Sequence, residues 1–160
     1  MMYDKRNPHY NYDIERFGGF GEDFFLQEYK HLDIVDVRKD WMYQRMDVDF
    51  IVDKKYKVDV KLDTIAYLSG NLVFEVVAHG SAGWGVITKA DYIYQVITDK
   101  QATKVLRTLM IDVNMWKDYC ANRQIEKKVS YMLDENNVNI LCNIDDLIAY
   151  GAVIKEKSYE

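Results

Sequence analysis

The sequence predicts a mixed α/β domain, with flanking helices around a sheet that starts as an antiparallel strand meander. Three observations carry this. The 160 residues are 49% hydrophobic and 14% aromatic, enough for one sizeable core. Phe17, Phe20, Phe24, Phe25, Leu26 and Tyr29 recur at helical spacing, with Glu22, Asp23 and Gln27 at polar positions between them. The stretch MDVDFIVDKKYKVDVKLD then alternates at strand spacing. Val58, Val60 and Leu62 take one face, and Asp59, Lys61 and Asp63 take the other.

The elements follow in order. Residues 1–13 hold the single proline, Pro8, among tyrosines and asparagines, and are expected to form an irregular arm. A helix is predicted over 13–32; the glycines of FGGFGE weaken its first turns or mark a close backbone approach. DIVDVR (33–38) alternates and is the first strand. VDFIV (48–52) and YKVDVKL (56–62), joined by a short turn, form a hairpin. NLVFEVVA is a fourth strand, HGSAGWGV a glycine-rich loop, and ADYIYQVIT an apolar, central fifth strand. TKVLRTLM is the sixth, and IDVNMWKDYCAN reads as a helix. KKVSYML and VNILCN form a hairpin around DENN, and IDDLIAYGAV is a short helix ended by Gly151. One domain spans 1–160, with its core over about 14–110 and a helix and hairpin extension over 111–160.

Composition narrows the function classes. Net charge is −5, so any footprint for a nucleic acid must be local. No segment is long and apolar enough to span a bilayer. The N-terminal stretch lacks the apolar region of a secretory signal, and a cytoplasmic location is expected. Cys120 and Cys142 fit no zinc spacing and are read as ordinary half-buried thiols. His9, His31 and His79 form no ligand pair. GSAGWG lacks the lysine and Ser/Thr of a phosphate loop and is read as a turn that packs Trp84 on the core. A nucleotide-sized ligand near Trp84 is the weaker alternative. Ser69, Ser81 and Ser130 lack a nucleophile elbow. Asp145 and Asp146 cap the last helix and complement its dipole.

The charged face of the hairpin carries the chemistry. Asp59 and Lys61, two apart in a strand, are neighbours, and the short connection brings Asp49 alongside. Two carboxylates that close raise each other's pKa unless a cation separates them. Lys61 supplies part of that charge, and a divalent ion supplies more. Mg²⁺ takes one or two carboxylates and keeps several waters, so Asp49, Asp59 and the backbone carbonyl between Asp59 and Lys61 make a half-shell. Plainer explanations stand beside these. Asp59 and Lys61 suit a solvated surface pair, which adds little stability, and Asp49 suits a strand-start acid. Glu22 suits an exposed helix position, with Glu28 its competitor. Glu75, a lone charge in an apolar strand, either completes a metal shell or pairs with Lys61. Arg45, Lys54 and Lys55 flank the hairpin as candidate phosphate contacts, or as scattered solubilising charge.

A helix acid, an aspartate at one strand and D/E-x-K on the next form an ordered set that resembles the PD-(D/E)XK nuclease superfamily, the restriction-endonuclease-like fold. Here the motif is Asp49, a short turn and Asp59-Val60-Lys61, with Val48 in place of the proline and Glu22 in GFGEDFFLQEY as the helix acid. The likeness runs from Gly18 to Val96 and is to small phage and bacterial members. It implies a restriction-endonuclease-like core and Mg²⁺- or Mn²⁺-dependent hydrolysis of phosphodiester bonds, endo or exo. DNA is the expected partner, in the cytoplasm or, for a phage-encoded chain, the host cytoplasm. By this resemblance Asp49 and Asp59 hold the metal. Lys61 positions water or offsets transition-state charge, and Glu22 supports the metal's water shell. No membrane partner is expected, and a homodimer is allowed for. The alternative is a catalytically inactive nuclease fold that binds DNA or serves as a scaffold.

Overall fold

The computed structural model describes residues 19–122, the backbone of 127–130, and residues 137–159. The expected arm at 1–13 and the turn around 134–136 lie outside them. Helix α1 (19–28) leads into β1 (Ile34–Asp36), α2 (Trp41–Arg45) and the hairpin of β2 (Phe50–Val52) and β3 (Tyr56–Asp63). Next come α3 (Ala66–Ser69), β4 (Asn71–Ala78), β5 (Ser81–Ala82) and α4 (Trp84–Ile87). A second hairpin, β6 (Tyr92–Thr98) and β7 (Val105–Asp112), precedes α5 (Val113–Asn122) and β8 (Lys127–Ser130). The chain closes with β9 (Asn137–Asn143), α6 (Ile144–Tyr150) and β10 (Val153–Ser158).

Six strands form one sheet in the order β1-β2-β3-β6-β7-β10, and four form another in the order β5-β4-β9-β8. The first sheet starts as the expected antiparallel meander, but β3 pairs with β6 in parallel. A parallel neighbour requires a crossover, and here the crossover carries α3, β4, β5 and α4. NLVFEVVA is therefore a strand, but one that leaves the first sheet and pairs with β9.

Side-chain alternation assigns each face of the six-stranded sheet to a core. Tyr94 and Val96 point with Val58 and Phe50 toward Phe25 of α1. Ile93 and Ile97 point the other way, into a larger core with Leu72, Phe74, Trp116, Ile140, Cys142 and Leu147. β6 is buried from Ile93 to Thr98, as its apolar run implies for a strand covered on both faces. The β2–β3 turn closes with Lys55 N–H on the Val52 carbonyl (3.1 Å). Asp53 and Lys54 both have positive φ there (52° and 60°), the geometry of a type I′ hairpin.

Several expectations are corrected. Helix α1 stops at residue 28 instead of 32, because the chain turns back through a Leu32 N–H bond to Tyr29 (2.9 Å) to begin β1. Helices α2 and α3 stand where no element was expected; Asp40 caps the first and Asp63 binds the opening N–H groups of the second. Asn143, not Asp145 or Asp146, caps α6, leaving those two in its first turn; Gly151 ends it with φ 90° as expected. The last residues form β10 on the edge of the first sheet. Residues 111–160, expected as an extension, supply Trp116, Ile140, Cys142 and Leu147 to the larger core. The two thiols meet there, with Cys120 Sγ 3.8 Å from Cys142 Sγ.

The glycine-rich loop lies flat on β4, so that Trp84 packs against Phe74 and Trp116 with centroids 5.3 and 5.4 Å away. A Cβ on Gly85 would stand 2.5 Å from Phe74 Cε1 and 2.8 Å from the Glu75 carbonyl. Gly85→Ala is therefore expected to destabilise by about 1–3 kcal/mol, as overpacking does, while Gly19→Ala, with open space around it, is tolerated. Urea unfolding of both variants checks this; an unchanged midpoint for Gly85→Ala contradicts the packing.

Candidate functional site

Strand β3 lies between β2 and β6, and its side chains alternate between the two faces of the sheet. Val58 and Val60 join the aromatic cluster beneath α1. Asp59 and Lys61 take the opposite face, in register with Ile93 and Gln95, and Asp59 is only 3% exposed. Continuing the β2–β3 register by one residue sets Asp49 opposite Asp59. Asp49 Oδ2 accepts the Val60 N–H at 2.8 Å.

Lys61 reaches back among the acids. Its Nζ lies 3.0 Å from Asp59 Oδ2, 3.1 Å from Asp47 Oδ2 and 5.2 Å from the Trp84 ring centroid. The Asp47 contact is a hydrogen bond. The Asp59 contact is an ion pair by distance only, and the buried Asp59 Oδ2 has no hydrogen-bond donor. Asp47 was outside the expected set, although the alternation Asp47-Val48-Asp49 was its signal. Its backbone is left-handed, with φ 55°.

Three carboxylates thus share one ammonium. Burial pushes Asp59 well above the usual carboxylate range against the pull of Lys61, with Asp47 and Asp49 adding to the rise. Burial raises Asp49 as well, against the Val60 N–H. For Lys61, burial acts to lower the pKa, but Asp59 and Asp47 outweigh it and hold the ammonium above the usual lysine range.

The other expected residues divide. Glu22 on α1 is bound by Arg38 Nη1 at 2.7 Å; burial raises its pKa, and Asp49 adds to that through space. The helix acid is therefore close enough to feel Asp49, but an arginine that also holds Asp36 (2.7 Å) occupies it. Glu75 is not the partner of Lys61 in this arrangement: it lies in the second sheet, where its Oε1 accepts the Trp84 N–H at 3.2 Å. Lys54 and Lys55 occupy the hairpin turn, at the end away from Asp49 and Asp59; Lys55 is four residues from Asp59, about 13 Å along a strand. Lys55 instead borders a cavity of about 280 Å³ with Asp91, Tyr92, Asp112 and Asn114. Arg45, two residues before Asp47 in the chain, places its guanidinium 5.6 Å from the ring centroid of the exposed Trp41. Two unexpected lysines also stand close by. Lys117 Nζ donates to the Thr88 carbonyl at 3.2 Å, and the Thr88 hydroxyl donates to the Asp47 carbonyl at 3.4 Å. Burial lowers the Lys117 pKa, and Lys89 lowers it further.

Among the described residues, no group of three or more His, Cys, Asp or Glu is arranged to hold a metal ion. A pair of carboxylates still matches the demand of Mg²⁺, which keeps several waters. Asp59 and Asp49 are the pair that would hold such an ion, though the Lys61 ammonium already lies 3.0 Å from Asp59 Oδ2.

A carboxyl pKa raised by folding means that the ionised form costs stability. That cost is absent below the unfolded value, about 3.9, and grows as pH rises through the raised folded value. Without divalent metal, Asp59→Asn is expected to raise Tm by several degrees at pH 7.5, since Asp47 still pairs with Lys61. The gain should shrink toward zero near pH 4. Calorimetry of both proteins across this range checks it, and a variant less stable than wild type at pH 7.5 contradicts the sign.

Comparison of the chain with protein-family models, curated proteins and solved structures finds no match.

Proposed function

We propose that the chain is a divalent-metal-dependent nuclease that hydrolyses phosphodiester bonds in DNA from a restriction-endonuclease-like core. The observation that carries this is the charge imbalance at Asp47, Asp49, Asp59 and Lys61, three carboxylates around one ammonium that lies 3.0 Å from Asp59 and 3.1 Å from Asp47. Asp49 and Asp59 would hold the cation. A divalent ion there offsets phosphate charge and lowers the pKa of a bound water. Lys61 keeps its proton and presents a fixed positive charge where charge grows on the phosphate. Trp84 covers its ammonium on one side. Lys117, close to Lys89 and bonded to the Thr88 carbonyl, and Arg45 are the backbone-phosphate contacts this reading favours. Glu22 acts at one remove, through the charge it places near Asp49.

One observation favours a second reading, a catalytically inactive scaffold of the same fold. Lys61 already bridges two of the three acids without a metal. A scaffold of that kind gains nothing from Mg²⁺ or Mn²⁺.

Purified protein is expected to nick or cut DNA in Mg²⁺ or Mn²⁺ and to be silent in EDTA. Lys61→Met, which keeps the stem but removes the charge, should lose on the order of a hundred-fold in rate while retaining weak, salt-sensitive DNA binding. The assay is a panel of duplex, single-stranded and branched DNA, with RNA alongside, and circular dichroism to establish folding of the variant. No cleavage of any substrate, with Tm unmoved by millimolar Mn²⁺, selects the scaffold. Equal cleavage by Lys61→Met removes the lysine from the mechanism.

A further inference from the structure

Lys61 has two acidic partners, and they are not equivalent. Asp47 receives a hydrogen bond from Nζ at 3.1 Å. Asp59 lies as close, at 3.0 Å, but is buried at 3% exposure beside Asp49, whereas Asp47 approaches from the 24% exposed side. If Asp59 turns to a divalent cation, an ammonium held by Asp59 alone would lose its carboxylate partner while its side chain is only 26% exposed. A charge held largely out of water without a partner is unfavourable. The loop that presents Asp47 is pinned on both sides. Asp47 N–H bonds to Gln44 (3.1 Å), Lys89 N–H bonds to the Met46 carbonyl (2.8 Å), and the Thr88 hydroxyl bonds to the Asp47 carbonyl (3.4 Å). These contacts hold a non-glycine residue at φ 55°, a conformation that persists only where its surroundings impose it.

We infer that Asp47 is a positioning residue, the second anchorage of Lys61, which keeps the ammonium at the site while Asp59 binds the cation. The inference rests on the proposed function, since it needs a cation at Asp49 and Asp59. It assigns Asp47 to the lysine and not to the metal, because Asp47 bonds Nζ from its own turn while Asp59 lies opposite Asp49 across the β2–β3 register.

The test follows the Lys61 ammonium by ¹⁵N NMR of the full chain, with the Asp carboxyl ¹³C signals beside it. Lys61→Met identifies the ammonium resonance. Asp47→Asn is the test variant, because asparagine tolerates the left-handed backbone. In wild type the ammonium signal should persist when Mg²⁺ is added, while the Asp49 and Asp59 carboxyl signals shift. In Asp47→Asn it should be present without Mg²⁺, held by Asp59, and lost when Mg²⁺ is added. Carboxyl shifts accompanied by loss of the ammonium signal in wild type overturn the inference and leave the metal site standing; this arm needs no variant to fold. Retention of the signal in Asp47→Asn with Mg²⁺ overturns it in the same way. Carboxyl signals that ignore Mg²⁺ in wild type overturn both the metal site and the role of Asp47.

Discussion

Lys61 stands between Asp59 and Asp47 at the margin of the larger core, and the elements around it are arranged on that contact. Charged side chains enter an interior only with partners. Strand β3 gives Asp59 no solvent face, at 3% exposure, and leaves Lys61 two residues on only 26% exposed. Its valines take the aromatic side and its charges take the other. A stability-optimised strand would carry apolar residues at 59 and 61, since replacing buried ion pairs by well-packed apolar residues is often neutral or stabilising. The residual negative charge therefore marks this strand as a place where packing alone did not decide the sequence.

Neighbouring elements answer that charge in different ways. Helix α2 ends two residues before Asp47 and delivers it in a pinned, left-handed turn. Asp49 spends one oxygen on the Val60 N–H, tying the start of β2 to the middle of β3. The second sheet contributes indirectly. Glu75 receives the first N–H of α4, and Gly83 and Gly85 let that helix lie against β4, which brings Trp84 over the Lys61 ammonium. The loop that looked like a failed phosphate site is thus a support for the lysine.

Periodicity made the local structure legible and left its assembly hidden. The alternation of Val58, Asp59, Val60 and Lys61 correctly divided the faces of β3, and the apolar run of β6 correctly marked a central strand. Alternation also identified β4 as a strand, but could not say that it pairs with β9, some seventy residues on, instead of β3. Alternation likewise could not show that Glu75 would accept the backbone N–H of Trp84, whose ring faces Lys61. Lys54 and Lys55 are close to Asp59 in sequence, yet an extended strand turns four residues into a long separation. Strand β10 was missed because Lys155, Glu156 and Lys157 are the charges an exposed edge strand carries, and they leave no apolar period to read. Asp47 lay in plain view, but only the fold shows that its turn points the carboxylate at Lys61.

The central claim is that Asp49 and Asp59 form a cation site with Lys61 held beside it. A crystal structure of the full chain with Mn²⁺, phased at the manganese absorption edge, tests this most directly. The account predicts an anomalous peak within coordination distance of both aspartates, with Lys61 Nζ still on Asp47. No peak there in crystals grown with millimolar Mn²⁺, with Lys61 still bridging Asp47 and Asp59, would contradict it.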